Sequence, residues 1–129
     1  MEPKNLQECL DLLIKTPAPG KEDFQLADED EATTAVHHHG GRGLRNDWNL
    51  WDPDSPLHKF FKEKYGLWHA DDMSSIIFTC LHRKLNDKPL DIRGQCKVFY
   101  KHWLQYEPEN EGMPQLKAFV EGEGDVELT

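Results

Sequence analysis

Between His37 and Trp51 the chain reads HHHGGRGLRNDWNLW, its densest concentration of side chains that bind or react. Two chemistries are open to it. Histidines bind metal, and arginines beside glycine-exposed backbone N–H groups bind anions. Metal is disfavoured by spacing. Three consecutive side chains diverge on a helix, so His37, His38 and His39 cannot share one ion, and no i, i+4 pairing accompanies them. No metal or cofactor is therefore expected. The anion reading draws on His38, Arg42, Arg45 and Asn46. GGRG matches neither the phosphate-cradling G-x-x-x-x-G-K-[ST] pattern nor G-x-G-x-x-G after a strand. The competing use of Arg45 is internal, as an ion pair with Asp71 or Asp72 that ties two helices together.

Two further clusters carry polar chemistry. In His69-Ala-Asp71-Asp72-Met73-Ser74-Ser75 the carboxylates suit a helix start, where Asp71 or Asp72 caps the first turn. The alternative there is a His69–Asp acid–base pair, which needs a proximity that sequence does not supply. His82-Arg83-Lys84 places cations at a helix C-terminus, where they complement the macrodipole. Asp71 and His82 fall on nearly one helix face but three turns apart, too far to touch.

These residues need helices to hold them. Leu6, Leu10 and Leu13 repeat at i, i+4, i+7 behind an Asn5 N-cap, and Pro17, Pro19 and Gly20 end that helix. Residues 21–32 are acidic, a loop or short helix anchored by Phe24 and Leu26. Thr33 or Thr34 caps the helix bearing the central stretch, with Leu44, Trp48 and Trp51 on one face. Gly40, Gly41 and Gly43 each cost about 1 kcal/mol relative to Ala inside a helix. Either something packs closely on that backbone or the helix begins near Leu44. Ser55-Pro56 opens and Gly66 closes a short helix with Leu57, Phe60 and Phe61 inward. Met73, Ile76, Ile77, Cys80 and Leu81 form a broad stripe that marks the most buried helix. Asp91 caps a further helix, with Ile92, Cys96, Phe99 and Trp103 on its inner face. Leu116, Phe119 and Val120 can dock back on the body, and the last residues are frayed or extended. No period-2 run is long enough for a strand. The expectation is an all-α protein: one compact domain of four to five helices over residues 1–106, its core at 34–106, then an acidic tail at 107–129, with partly flexible ends.

Composition narrows the function. The chain has 129 residues and a net charge of −9. Residues 1–33 hold three Lys against nine Asp/Glu, and residues 107–129 one Lys against seven, so each arm carries −6; the middle holds eleven Lys/Arg against eight Asp/Glu, or +3. Acidic arms around a mildly basic body argue against non-specific nucleic-acid binding. No apolar run is long enough to span a membrane, and MEPKNLQECL lacks the layout of a signal peptide, which places the protein in the cytoplasm. Cys9, Cys80 and Cys96 lack C-x-x-C spacing and read as buried thiols.

The order of motifs is close to H-x-G-x-G-x-x-x-R-N-x-W-x-L-W (here Leu44 alone separates Gly43 from Arg45), then S-x-L-x-x-x-F, H-x-D-D-M-S-x-I-I, H-R-x-L-N and a helix ending near Y-x-x-x-W (here Tyr100-x-x-Trp103). It resembles a bacterial and phage family known only as a domain of unknown function. The matching residues are His37 to His39, Gly41, Gly43, Arg45, Asn46, Trp48, Leu50 and Trp51, then Ser55, Leu57 and Phe61. His69, Asp71 to Ser74, Ile76, Ile77, His82, Arg83, Leu85, Asn86, Gln95 and Trp103 complete the set, and PKNLQECLDLL resembles the leading helix. The resemblance spans about residues 3–106 and implies no chemistry.

Two functions follow as expectations. The first is a non-enzymatic protein-binding module, a small regulator or inhibitor, motivated by small size, acidic arms and the lack of a catalytic signature. The second is a small ligand-binding protein or enzyme acting on a phosphate-bearing or nucleotide-like molecule through the His/Gly/Arg/Asn stretch. Under either, the candidate contacts are His38, Arg42, Arg45, Asn46, His69, Asp71, Asp72, His82 and Arg83. A narrower possibility is nucleic-acid mimicry by the acidic arms.

Overall fold

A helix that is apolar around most of its circumference must be covered on most sides, and that requirement shapes this molecule. The computed structural model describes residues 2–38 and 40–129; His39 lies outside the described residues. Eight α-helices occur among them and no strand: α1 (Leu6–Lys15), α2 (Lys21–Leu26), α3 (Glu29–His38), α4 (Gly40–Asp47), α5 (Pro56–Tyr65), α6 (Ala70–Leu85), α7 (Ile92–Tyr106) and α8 (Met113–Glu121). α6 is the hub. Helices α1 to α5 and α7 all touch it. Its Met73, Ile76, Ile77 and Cys80 are fully buried, as the broad apolar stripe predicts.

The all-α reading stands, with eight helices in place of four to five. The difference comes from short, polar helices that periodicity marks weakly. α2 buries none of its residues, and α3 buries only Ala32. α3 starts at Glu29, with Glu29, Asp30 and Glu31 in its first turn, where the macrodipole favours carboxylates. Thr33 and Thr34 therefore sit inside α3, and the Thr33 hydroxyl donates to the Glu29 carbonyl (2.7 Å) instead of capping. α4 ends at Asp47, and Asn49 then takes a left-handed backbone conformation (φ 53°). Leu44, Trp48 and Trp51 consequently do not form one helical face. Leu44 is buried, Trp48 half-buried and Trp51 54% exposed.

Caps set by local chemistry occur where the sequence places them. Asn5 Oδ1 accepts from Glu8 N–H (2.8 Å), Ser55 Oγ from His58 N–H (3.3 Å) and Asp91 Oδ1 from Gly94 N–H (3.1 Å). Gly66 ends α5 with φ +76°. Beyond Tyr106 the chain turns back, and α8 packs on α7 and α5 with Leu116 and Val120 buried. The last residues lie along the body: Gln7 N–H donates to the Leu128 carbonyl (2.9 Å) and the Tyr65 hydroxyl to that of Glu127 (2.6 Å). Cys9, Cys80 and Cys96 are free and buried. Burial pushes the Cys80 thiol up to about 11, so these thiols are poor nucleophiles.

Two glycines give opposite expectations. A Cβ at Gly66 would lie 2.6 Å from the Leu116 backbone nitrogen, on a left-handed backbone. Gly66→Ala should cost at least the 1–3 kcal/mol of such strain and lower the urea midpoint. Gly43 has nothing within 4 Å of a Cβ and a helical backbone. Gly43→Ala should raise the midpoint by up to about 1 kcal/mol.

Candidate binding site at the start of α6

The polar residues singled out in the sequence are sorted by α6 into two groups, one at each end. At the C-terminal end they are used internally. Arg83 Nε and Nη2 donate to Glu29 (2.7 and 3.3 Å), and Nη1 donates to the Leu90 carbonyl (2.5 Å). The hydrogen bond from Arg83 holds the Glu29 carboxyl below the usual range. That depressed value makes the pair a stabilising contact above the ordinary Glu range, lost as the pH falls through it. His82 is buried. Its Nε2 donates to the Ala27 carbonyl (2.9 Å), and its ring meets Phe24 edge-on, 5.4 Å between centroids. Asn86 Nδ2 donates to the His82 and Gln25 carbonyls. His82 and Arg83 thus fasten α2 and α3 to α6.

The N-terminal end is built differently. His69, not Asp71 or Asp72, is the N-cap: the Asp71 N–H donates to His69 Nδ1 (3.1 Å), which leaves the ring proton on Nε2. The Asp71 carboxylate is free to face Arg45, whose Nε lies 3.2 Å from Oδ1. That N–H is not aimed well enough at the oxygen to form a hydrogen bond. Arg45 is buried (7% exposed), and its Nη1 donates to Ser74 Oγ (3.0 Å), which itself donates to the Asp71 carbonyl (3.0 Å). The internal ion pair is therefore the use made of Arg45, tying α4 to α6. Gly41 makes room for it, since a Cβ there would sit 2.9 Å from Arg45 Nη1. Close packing, one of the two explanations for the glycine run, holds at Gly41.

Asp72 has no such partner. Its Oδ2 accepts from Trp103 Nε1 (2.8 Å), and no cation among the described residues lies within 4 Å of it. Burial pushes its carboxyl above the usual range, and the Trp103 hydrogen bond only partly opposes this. Trp103 belongs to a run of touching rings. Trp51 meets His69 edge-on (5.7 Å), His69 stacks on Trp103 (5.4 Å), Trp68 tilts against Trp103 (5.7 Å), and His102 joins Trp103 (4.6 Å) to Tyr106 (4.8 Å). Trp51 and Tyr106 are exposed at its ends.

Arg45, His69, Asp71 and Asp72 are thus brought together. His82 and Arg83 lie at the far end of α6. His38, Arg42 and Asn46 are exposed on α3 and α4, and none makes a side-chain hydrogen bond among the described residues. The sequence reading did not include Trp51, Trp68, His102, Trp103 or Tyr106 among the contacts. Trp103 was legible only as an inward apolar residue; the signal that could have marked it is its indole N–H, which needs an acceptor when buried.

The chain is thus an all-helical body with a run of touching rings at the start of α6, beside a carboxylate, Asp72, that has no ion-pair partner among the described residues. The chain belongs to the family described as Domain of unknown function (DUF6794), whose model matches residues 2–85. Asn86, Gln95 and Trp103, on which the resemblance also drew, lie beyond that span. No curated protein and no solved structure matches the chain.

Two substitutions test the electrostatics. Arg45→Ala removes the Ser74 and Asp71 contacts from a buried position and should cost about 1–3 kcal/mol by denaturant titration. Asp72 gives the opposite sign. Its folded-state pKa is raised, so its charge opposes folding at neutral pH and the opposition fades as acid protonates it. Asp72→Asn, which keeps an acceptor for Trp103, should raise the Tm at pH 7, with the gain shrinking as the pH is lowered through the carboxylate range.

Proposed function

We propose that this protein is a non-enzymatic protein-binding module, a small cytoplasmic regulator or inhibitor of a bacterial or phage-related protein, and that it grips its partner with the aromatic ridge. The observation carrying this reading is the continuous run of rings from Trp51 to Tyr106, whose ends are 54% and 64% exposed. Tryptophan and tyrosine dominate binding energy at protein interfaces, because they bury much area at little entropic cost.

The second reading, a phosphate-bearing or nucleotide-like ligand, has a specific feature of its own. A cleft of about 260 Å³ between α3 and α6 is lined by Thr33, Thr34, His37, Ser74, Ser75, Phe78 and Thr79. It has less support, because Arg45 is engaged by Asp71 and Ser74.

A tagged pull-down from host lysate, eluted into native mass spectrometry, separates the two. A protein captured by the wild type and lost in the folded Trp51→Ala variant is the expected result. Capture of the same protein undiminished by Trp51→Ala and by His102→Ala would remove the ridge, and a retained small mass in its place would favour the hydroxyl cleft.

A further inference from the structure

Resting on the protein-binding reading, we propose that the start of α6 receives an arginine side chain of the partner, seated against the aromatic ridge with Asp72 as its counter-ion. Adjacent carboxylates differ in how they are compensated. Asp71 faces the buried Arg45 at 3.2 Å. Asp72 is half-buried, and its hydrogen bond is to a neutral indole N–H. Asp72 Oδ1 makes no hydrogen bond among the described residues, yet it is not sealed from solvent. It is an acceptor without a donor on a half-buried carboxylate. A carboxylate kept charged there loses hydration without gaining an ion pair, a standing cost that an incoming cation removes.

The surroundings select the kind of cation. His69 and Trp103 are stacked beside the carboxylate, and Trp51 lies edge-on to His69 with more than half its surface open. A planar guanidinium stacks on such rings while presenting a fork of N–H donors to a carboxylate, and it is more weakly hydrated than an ammonium. The rim has matching charge. Asp52 and Asp54 are exposed beside Trp51, and Glu107 is exposed beside Tyr106; the whole chain carries −9. A basic segment is thereby steered towards the ridge at a rate that salt reduces.

The probe is acetyl-tetra-arginine amide, compared with its tetra-lysine and neutral tetra-citrulline counterparts. Binding is measured by calorimetry and by the indole N–H cross-peak of Trp103 in NMR spectra of the intact chain. The arginine peptide is expected to shift that cross-peak saturably and to bind at least tenfold more tightly than citrulline. Asp72→Asn should weaken it at least tenfold although the variant is at least as stable as the wild type, and Trp51→Ala should weaken it severalfold. An unchanged affinity in Asp72→Asn would reduce the effect to general attraction by acidic surface and overturn the assignment. So would the absence of a saturable shift, or lysine binding as tightly as arginine. A partner protein lost in Trp51→Ala but indifferent to Asp72→Asn would leave the protein-binding reading intact and remove the arginine site alone.

Discussion

The burial of α6 is the constraint on which the rest depends. Its side walls are taken up by Met73, Ile76, Ile77, Cys80 and Leu81 against the surrounding helices. A helix so enclosed gathers its charged groups at its ends, where its free N–H and C=O groups also need partners, and keeps only the small hydroxyls of Ser75 and Thr79 between them. The sixteen residues of α6 span about 24 Å at 1.5 Å per residue. His69, Asp71, Asp72 and Ser74 gather at one end, and His82, Arg83 and Asn86 at the other. The spacing of the H-x-D-D-M-S and H-R-x-L-N motifs is thus the length of one buried helix.

The two ends solve different problems. At the C-terminal end Arg83 sits between Glu29 and the Leu90 carbonyl, and Asn86 bridges to Gln25. The arrangement binds two helices that bury little of their own surface. At the N-terminal end Arg45 and Asp71 do similar work for α4, but Asp72 stands outside that pairing. The two carboxylates at opposite ends respond oppositely to acid: Glu29 is depressed by a guanidinium and Asp72 raised by burial. One favours the folded chain when charged and the other when neutral. Asp72 serves the fold in another way, as the acceptor of the Trp103 indole N–H in the first turn of α6.

What sequence made legible was local. Asn5, Ser55, Gly66 and Asp91 cap helices through contacts a few residues away, and each is where residue type and spacing put it. The buried stripe of α6 was legible because its period is strong. The acidic helices α2 and α3 were not, since what holds them is Arg83 and His82, more than fifty residues away. The α6 cap was misassigned for a similar reason. Asp71 is a good N-cap by type, but the helix starts earlier, with His69 Nδ1 accepting from the Asp71 N–H, and the Asp71 carboxylate faces the Arg45 guanidinium. Of the candidate contacts, the polar members of the site were legible as a motif, whereas the ridge above them was hidden in residues that also read as core.

The ridge also crosses the boundary of the family match. Trp51, Trp68, His69 and Asp72 lie within residues 2–85, whereas His102, Trp103 and Tyr106 come from α7, beyond it. Each half is incomplete alone. Without α7, Asp72 would lose its indole hydrogen bond, and His69 and Trp68 the ring against which both pack. Without the start of α6, the Trp103 N–H would have no carboxylate to meet. The site is therefore a joint product of the family's helical body and the segment that follows it. A change in α7 that leaves the core untouched, such as loss of the Trp103 indole N–H, acts on the charge of Asp72 directly.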